Sequence, residues 1–187
     1  MAVASVCLLV LMVIAAATDL RDGKIYNWTT YTGIVLALVL NGLATGLGRS
    51  EIGDIGFTES LFGFLVCSAI MLICFVFFSG FGGGDVKLLA MAGAFLGPQM
   101  GIEAVLWSFV IAAAAGLVYL IWTNGAIRMM QRTFHQVMSR LNLGQWDPLT
   151  PEESRQMKLH IFLAPSALAA VLIVKFSMVH RLQSLLG

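Results

Sequence analysis

Charged residues are scarce in this chain of 187 residues: Asp, Glu, Lys and Arg make up only 11%, whereas 59% is hydrophobic. A soluble domain typically carries about 25% charged and about 45–50% apolar residues. The apolar residues fall in long runs and do not alternate with polar ones. This composition predicts an all-α, polytopic membrane protein that forms one integral-membrane domain over residues 1–187. The net charge of +1 gives no basis for binding nucleic acid.

Cysteine and histidine are also few. Cys7, Cys67 and Cys74 lie inside apolar runs and form no Cys-x-x-Cys pair, which excludes a zinc ribbon or a redox motif of that type. The three histidines are scattered along the chain, and no Glu-x-x-His cluster accompanies them. The sequence therefore predicts neither a metal site nor a cofactor.

Hydrophobic windows of about 20 residues identify membrane-spanning helices. Six such spans are predicted, at residues 2–18, 29–47, 60–79, 86–97, 103–123 and 159–179. The fourth is short, because a helix over 86–97 rises only about 18 Å against a hydrocarbon core of about 30 Å. One end of it is therefore expected to lie in a recess that protein or water lines.

The positive charges predict the orientation of these spans. No Lys or Arg precedes Arg21, and Lys24 follows it closely. The positive-inside rule therefore places the N-terminus outside and segment 124–158, with its arginines, in the cytoplasm. Apolar residues recur at helical spacing in that segment, which predicts a basic amphipathic helix on the lipid surface or a continuation of the fifth span. The resulting cytoplasmic set is Arg21, Lys24, Lys87, Arg128, Arg132, Arg140, Arg155 and Lys158, against Arg49, Lys175 and Arg181 outside.

Two aspartates stand at the cytoplasmic ends of predicted spans. Asp19 ends the first span in "AATDLRDGKIYNWTT", and Asp85 begins the fourth in "FGGGDVKLLAMAGAFLG". Intramembrane carboxylates are rare and usually functional, because each costs about 2.5–3.5 kcal/mol on insertion scales. Two carboxylates brought together can share a proton, so that one activates water and the other acts as an acid. Asp22, three residues after Asp19, is expected to be solvated in the next turn.

The residues around Asp85 have both functional and structural interpretations. Gly82 and Gly84 would let the backbone approach a substrate strand closely, or would form a flexible loop in which Asp85 caps a helix. Lys87 would hold the substrate backbone, or would extend its ammonium group to the lipid headgroups. The residues alone leave these alternatives open.

Together the two segments resemble the prepilin peptidase family, the membrane aspartic proteases with a Gly-x-Gly-Asp motif. In that family the first catalytic Asp ends a helix and precedes a segment ending in Ile-Pro-Asn. Asp19, Ile25 and Asn27 fit this pattern, whereas Tyr26 replaces the proline. The second motif fits position by position, at Gly82, Gly84, Asp85, Lys87 and Leu88.

The resemblance implies a catalytic pair, Asp19 and Asp85. It also implies a set of residues that support the site or bind the substrate, namely Gly82, Gly83, Gly84, Lys87 and Asn27. The implied activity is removal of a short basic leader from a prepilin or pseudopilin precursor, at the cytoplasmic face of the inner membrane and in contact with lipid. The compact chain looks like the Tad/Flp-pilus type, since it has no tetracysteine insertion, and methylation of the product is not expected.

Two other interpretations compete with the peptidase. In the first, a transporter or channel uses Asp19 and Asp85 to relay ions, with the glycines breaking a helix at the site. Against it, both aspartates fall at one face of the membrane, and no second, matching half-repeat is visible in the sequence. In the other, the chain is an inactive homologue that serves as an assembly factor.

Overall fold

The computed structural model describes residues 2–49, 51–77, 82–124 and 163–186, and the regular structure in these ranges is entirely helical. The helices are α1 (Val3–Asp22), α2 (Asn27–Leu47), α3 (Phe57–Phe77), α4 (Gly83–Asn124) and α5 (Leu163–Leu186). The predicted all-α class is therefore confirmed for the described residues.

Four helices are long and apolar enough to cross a membrane: Val3–Asp22, Asn27–Leu47, Phe57–Phe77 and Gly83–Tyr119. The structure does not support the predicted number of six spans. The windows 86–97 and 103–123 both fall within α4, and the apolar part of α5, Leu163–Phe176, is shorter than the 18 residues of a candidate span. Several long apolar helices nonetheless indicate a multi-pass membrane protein.

Helix α4 is interrupted at Gly97, where φ is 78° and ψ is 178°. A positive φ favours glycine, and the following Pro98 has no N–H to donate to the carbonyl of Ala94, four residues earlier. That carbonyl accepts hydrogen bonds from Ser60 Oγ at 2.6 Å and Asn41 Nδ2 at 3.4 Å. The short fourth helix predicted from the sequence thus corresponds to the part of α4 before the break, and side chains of α2 and α3 satisfy the broken turn.

The same part of α4 packs closely on α3 through small residues. A Cβ atom on Gly63 would collide with the carbonyl oxygen of Gly93, and one on Gly93 would lie 2.6 Å from Cys67 Sγ. Small residues four positions apart let two helix backbones approach each other in a membrane. This approach brings Ser60, on α3, within reach of the broken turn.

A polar cluster joins α5 to the N-terminal end of α1. Lys175 Nζ donates to Asp54 Oδ2 and to Ser5 Oγ, each at 2.5 Å, and Ser5 Oγ donates to Asp54. A cavity of about 630 Å³ adjoins this cluster. It is lined by these three residues and by Leu9, Ile55, Glu59, Leu96, Gly97, Pro98, Gln99, Met100, Leu172 and Phe176.

The chain divides into two compact units, one of residues 1–111 and 162–187 and one of residues 112–161. The first unit contains both aspartates and the cavity. Of the second, the structure describes residues 112–124, which are helical. All but the first residue of the predicted amphipathic segment 124–158 lies outside the described residues, and the single-domain organisation stays a prediction.

Candidate active site

Asp19 lies in the last turn of α1, which ends because Gly23 adopts a left-handed conformation with φ 62° and donates its N–H to the Asp19 carbonyl at 2.9 Å. The Asp19 side chain is buried, with only 7% of its surface exposed. Its Oδ2 accepts a hydrogen bond from the backbone N–H of Ala164 at 3.3 Å. The first turn of α5 therefore contacts this carboxyl group directly.

Asp85 lies in the first turn of α4. Its Oδ2 accepts the backbone N–H of Gly82 at 2.9 Å, and its own N–H donates to the Gly82 carbonyl at 3.1 Å. This reciprocal pair satisfies groups that a helix start otherwise leaves without partners. The capping role considered from the sequence is thus present, with the carboxylate inside the first turn of the helix and not ahead of it.

The structure brings these two aspartates into one site. Asp19 and Asp85 lie close enough to interact electrostatically, although they belong to different helices. Each carboxyl group accepts one backbone N–H from the start of a helix, Asp19 from Ala164 and Asp85 from Gly82. Two carboxyl groups that lie close together can share one proton.

The three glycines before Asp85 have different surroundings. A Cβ atom on Gly84 would lie 3.1 Å from Ile25 Cβ, which is tighter than an ordinary contact. A Cβ on Gly82 would lie 3.4 Å from Asp85 Oδ2, and one on Gly83 would meet nothing within 4 Å. Gly84 therefore makes room for the loop that follows α1, whereas the packing gives no reason for a glycine at Gly83.

Lys87 points across to α2. Its Nζ donates to Asn27 Oδ1 at 2.9 Å and lies 4.9 Å from the centroid of the Tyr31 ring. The structure thus places together Lys87 and Asn27, two of the residues that the resemblance assigns to supporting the site or binding the substrate. Tyr31 is a neighbour that sequence reasoning missed, although its position one turn after Asn27 puts it on the same helix face.

The sequence model of the type IV leader peptidase family matches residues 6–117, which is more than half of the chain and includes both aspartates. The chain belongs to this family. No curated protein and no solved structure matches it. Membership implies a protease activity of the leader-peptidase type. The match ends before α5, so the residue that donates to Asp19 lies outside the matched region.

The departure from the leader peptidase pattern at Tyr26 leaves the backbone conformation intact. Tyr26 precedes α2 with φ −73° and ψ 132°, a φ that proline also adopts. Its hydroxyl donates to Asp22 Oδ2 at 3.1 Å, which raises the pKa of Tyr26. Asp22 is exposed, as predicted for the turn.

Among the described residues, no three His, Cys, Asp or Glu side chains lie together in a group that could hold a metal ion.

Proposed function

We propose that this leader peptidase family member is an aspartic endopeptidase that cleaves the short basic leader from prepilin-like precursors. The observation that carries the proposal is the proximity of Asp19 and Asp85, each at a helix end and each oriented by a backbone N–H. The family match gives the transporter interpretation no support, because a leader peptidase is a protease.

In the proposed reaction the two carboxyl groups start with one proton between them. The ionised group takes a proton from water, and the resulting oxygen attacks the carbonyl carbon of the scissile bond. The protonated group gives its proton to the carbonyl oxygen, which forms a tetrahedral diol. The group that took the proton from water then gives it to the leaving nitrogen as the C–N bond breaks. The other group takes a proton from a hydroxyl of the diol, so the pair again holds one proton.

The other residues of the site have supporting roles in this proposal. The segment Gly82–Gly84 carries no side chains, so an extended substrate strand can approach Asp85 closely. Lys87, held by Asn27 and beside Tyr31, presents an ammonium group two residues after Asp85 and binds the substrate backbone.

The proposed substrate has a basic leader followed by an apolar helix that lies in the bilayer against the enzyme. The proposed location is the inner membrane, with the N-terminus outside and the site at the cytoplasmic face, in a Tad/Flp-type pilus or secretion system. Cysteines introduced at Lys24 and Glu51 test the orientation by labelling from each side. Labelling of the Glu51 position from the cytoplasmic side contradicts it.

Substitution of each aspartate by asparagine tests the function. Asp19→Asn and Asp85→Asn keep the side-chain size but remove the titrating group, so each variant should still bind precursor and yet process it at background rate. The double variant should be no worse than either single one, because residues that act as a unit are non-additive. Asp22→Asn is the matched control and should stay active.

The outcomes separate the three interpretations. Near-wild-type cleavage by folded Asp85→Asn enzyme contradicts the aspartic mechanism. A wild-type protein that binds precursor without cleaving it indicates the inactive assembly factor. Loss of processing when the apolar segment of the precursor is removed supports the proposed substrate, whereas equal cleavage of a free leader peptide argues for another protease.

A further inference from the structure

Thr29 on α2 is a buried hydroxyl group without a hydrogen-bond partner among the described residues. Its side chain has no exposed surface, and Oγ1 neither donates nor accepts there. Three other threonines of the same helix bond to backbone carbonyls: Thr30 to Asn27, Thr32 to Trp28 and Thr45 to Asn41. A buried polar group left unpaired in a folded protein requires an explanation, and catalytic sites are one place where such groups occur.

The register of α1 against α2 places Thr29 beside the candidate active site. A Cβ atom on Gly33 would lie 3.1 Å from Leu11 Cδ1 and would collide with the Met91 side chain, so this position faces both α1 and α4. Helices α1 and α2 run antiparallel, because the short loop 23–26 joins them. Thr29 lies one turn from Gly33 towards that loop. On α1, Ala15 lies one turn from Leu11 in the same direction, and Asp19 lies two turns from it.

The hydroxyl group of Thr29 is directed towards the same end. Side chains of a helix lean towards its N-terminus, and the N-terminus of α2 is the end next to Asp19. The level of Asp19 is about one helical turn away, on the order of 5 Å along the axis.

Few acceptors are available to Thr29 at this level. On α1, residues 12–20 include two polar side chains, Thr18 and Asp19, and the Thr18 hydroxyl already donates to the Ala15 carbonyl at 3.0 Å. On α4, residues 86–92 contain no side chain that accepts a hydrogen bond except through sulfur, and Asp85 directly precedes them. The side-chain oxygens at this end of α1 and α4 that could accept from Thr29 are therefore those of the two carboxyl groups, Asp19 on α1 and Asp85 on α4.

We propose that Thr29 is a positioning residue, whose hydroxyl donates a hydrogen bond to a carboxyl group of the Asp19 and Asp85 pair when the site holds its substrate. The inference rests on the proposed peptidase function. A hydrogen bond to an ionised carboxylate is short and strong, and it restricts the orientation of the group. The bond is absent in the unliganded structure and can form as the reaction proceeds. It would then stabilise the transition state more than the ground state, which increases the rate.

Thr29→Val removes the hydroxyl and preserves the shape of the side chain, whereas Thr29→Ser preserves the hydroxyl. For Thr29→Val we expect kcat to fall by about ten- to hundredfold, the range for a hydrogen bond to a charged group, with KM little changed. Thr29→Ser should recover most of the activity. The melting temperature of unliganded Thr29→Val should equal or exceed that of the wild type, because no hydrogen bond is lost there.

Thr32→Val is the matched control, since Thr32 is exposed on the same helix and its hydroxyl bonds to the Trp28 carbonyl. It should process precursor at the wild-type rate. Thr29→Ala, which also lacks the hydroxyl, replaces Thr29→Val if the latter does not fold. Wild-type kcat in the folded Val or Ala variant overturns the inference. The inference is also overturned if the Val or Ala variant loses both stability and activity and Thr29→Ser does not recover them. In either case an inactive Asp19→Asn variant leaves the proposed function standing.

Discussion

The backbone N–H of Ala164 donates to Asp19 Oδ2 at 3.3 Å, although 145 positions separate the two residues. Ala164 is fully buried in the first turn of α5, where the unpaired N–H groups and the helix dipole favour a negative charge. Helix α5 lies beyond the region that the family match covers. Its N-terminal turn nevertheless orients one of the two proposed catalytic groups.

Ala164→Pro tests this contact, because proline has no N–H and is tolerated in the first turn of a helix. A hydrogen bond to a charged group contributes about 1.5–3 kcal/mol, so processing should fall by about ten- to hundredfold. Ala164→Val, which adds similar volume but retains the N–H, is the control and should be less impaired. Equal activity of the two variants, measured on purified enzyme with precursor, contradicts a role for this bond.

The sequence identifies much of the candidate site because its signals are local. Asp19 and Asp85 are recognisable as carboxylates at the ends of apolar runs, and Gly82 and Gly84 stand next to Asp85. The interruption at Gly97 is also a local signal, since a glycine followed by a proline disfavours a continuous helix.

Other parts of the site depend on contacts between distant segments, which a single sequence does not encode. Ala164 is an ordinary apolar residue until α5 packs against α1. Thr29 and Tyr31 are two of several polar or aromatic residues on α2, and only the packing distinguishes them. The count of spans failed for a similar reason, because hydropathy alone does not show that α4 continues beyond its break at Gly97.

Substitutions at two adjacent glycines should have different effects. Gly84→Val places its Cβ 3.1 Å from Ile25 Cβ and adds two methyl groups, so overpacking should cost about 1–3 kcal/mol of stability and reduce processing. Gly83→Val is the control for stability, because a Cβ there meets nothing within 4 Å. Adding Ile25→Ala to Gly84→Val should recover part of the loss. Equal thermal unfolding of the two glycine variants would show that the loop does not press on Gly84.

The broken turn of α4 predicts an unequal response of two buried serines. Ser60→Ala removes the 2.6 Å bond to the Ala94 carbonyl and leaves only the longer one from Asn41, which should cost about 1–3 kcal/mol of stability. Ser108 also bonds to a carbonyl at 2.6 Å, that of Ala104. This carbonyl lies inside regular helix and has a backbone donor as well, so Ser108→Ala should cost much less. Melting temperatures of the two variants, measured in the same detergent, test this difference. Equal effects of the two substitutions would contradict it.

The cluster of Asp54 and Lys175 predicts a dependence of stability on pH. Burial, the largest single influence, raises the pKa of Asp54, but hydrogen bonds from Lys175 and Ser5 and the positive charge of Lys175 together outweigh it and lower the pKa below its usual value. A carboxyl group with a lowered pKa in the folded state stabilises the protein above the pKa of the unfolded chain, about 3.9, and loses this contribution as the pH falls through the folded value. Wild-type melting temperature should therefore decrease below about pH 4.

Lys175→Met should weaken this effect. Without the ammonium group, burial still raises the pKa of Asp54 and the Ser5 hydrogen bond still lowers it, so the pKa lies above its wild-type value and the ionised group stabilises the folded state less. The variant should be less stable than the wild type at neutral pH, and the difference should shrink as acid protonates Asp54. Lys175→Arg retains the charge and should follow the wild-type profile more closely. Parallel profiles of melting temperature against pH for Lys175→Met and wild type would show that the ion pair does not control the ionisation of Asp54.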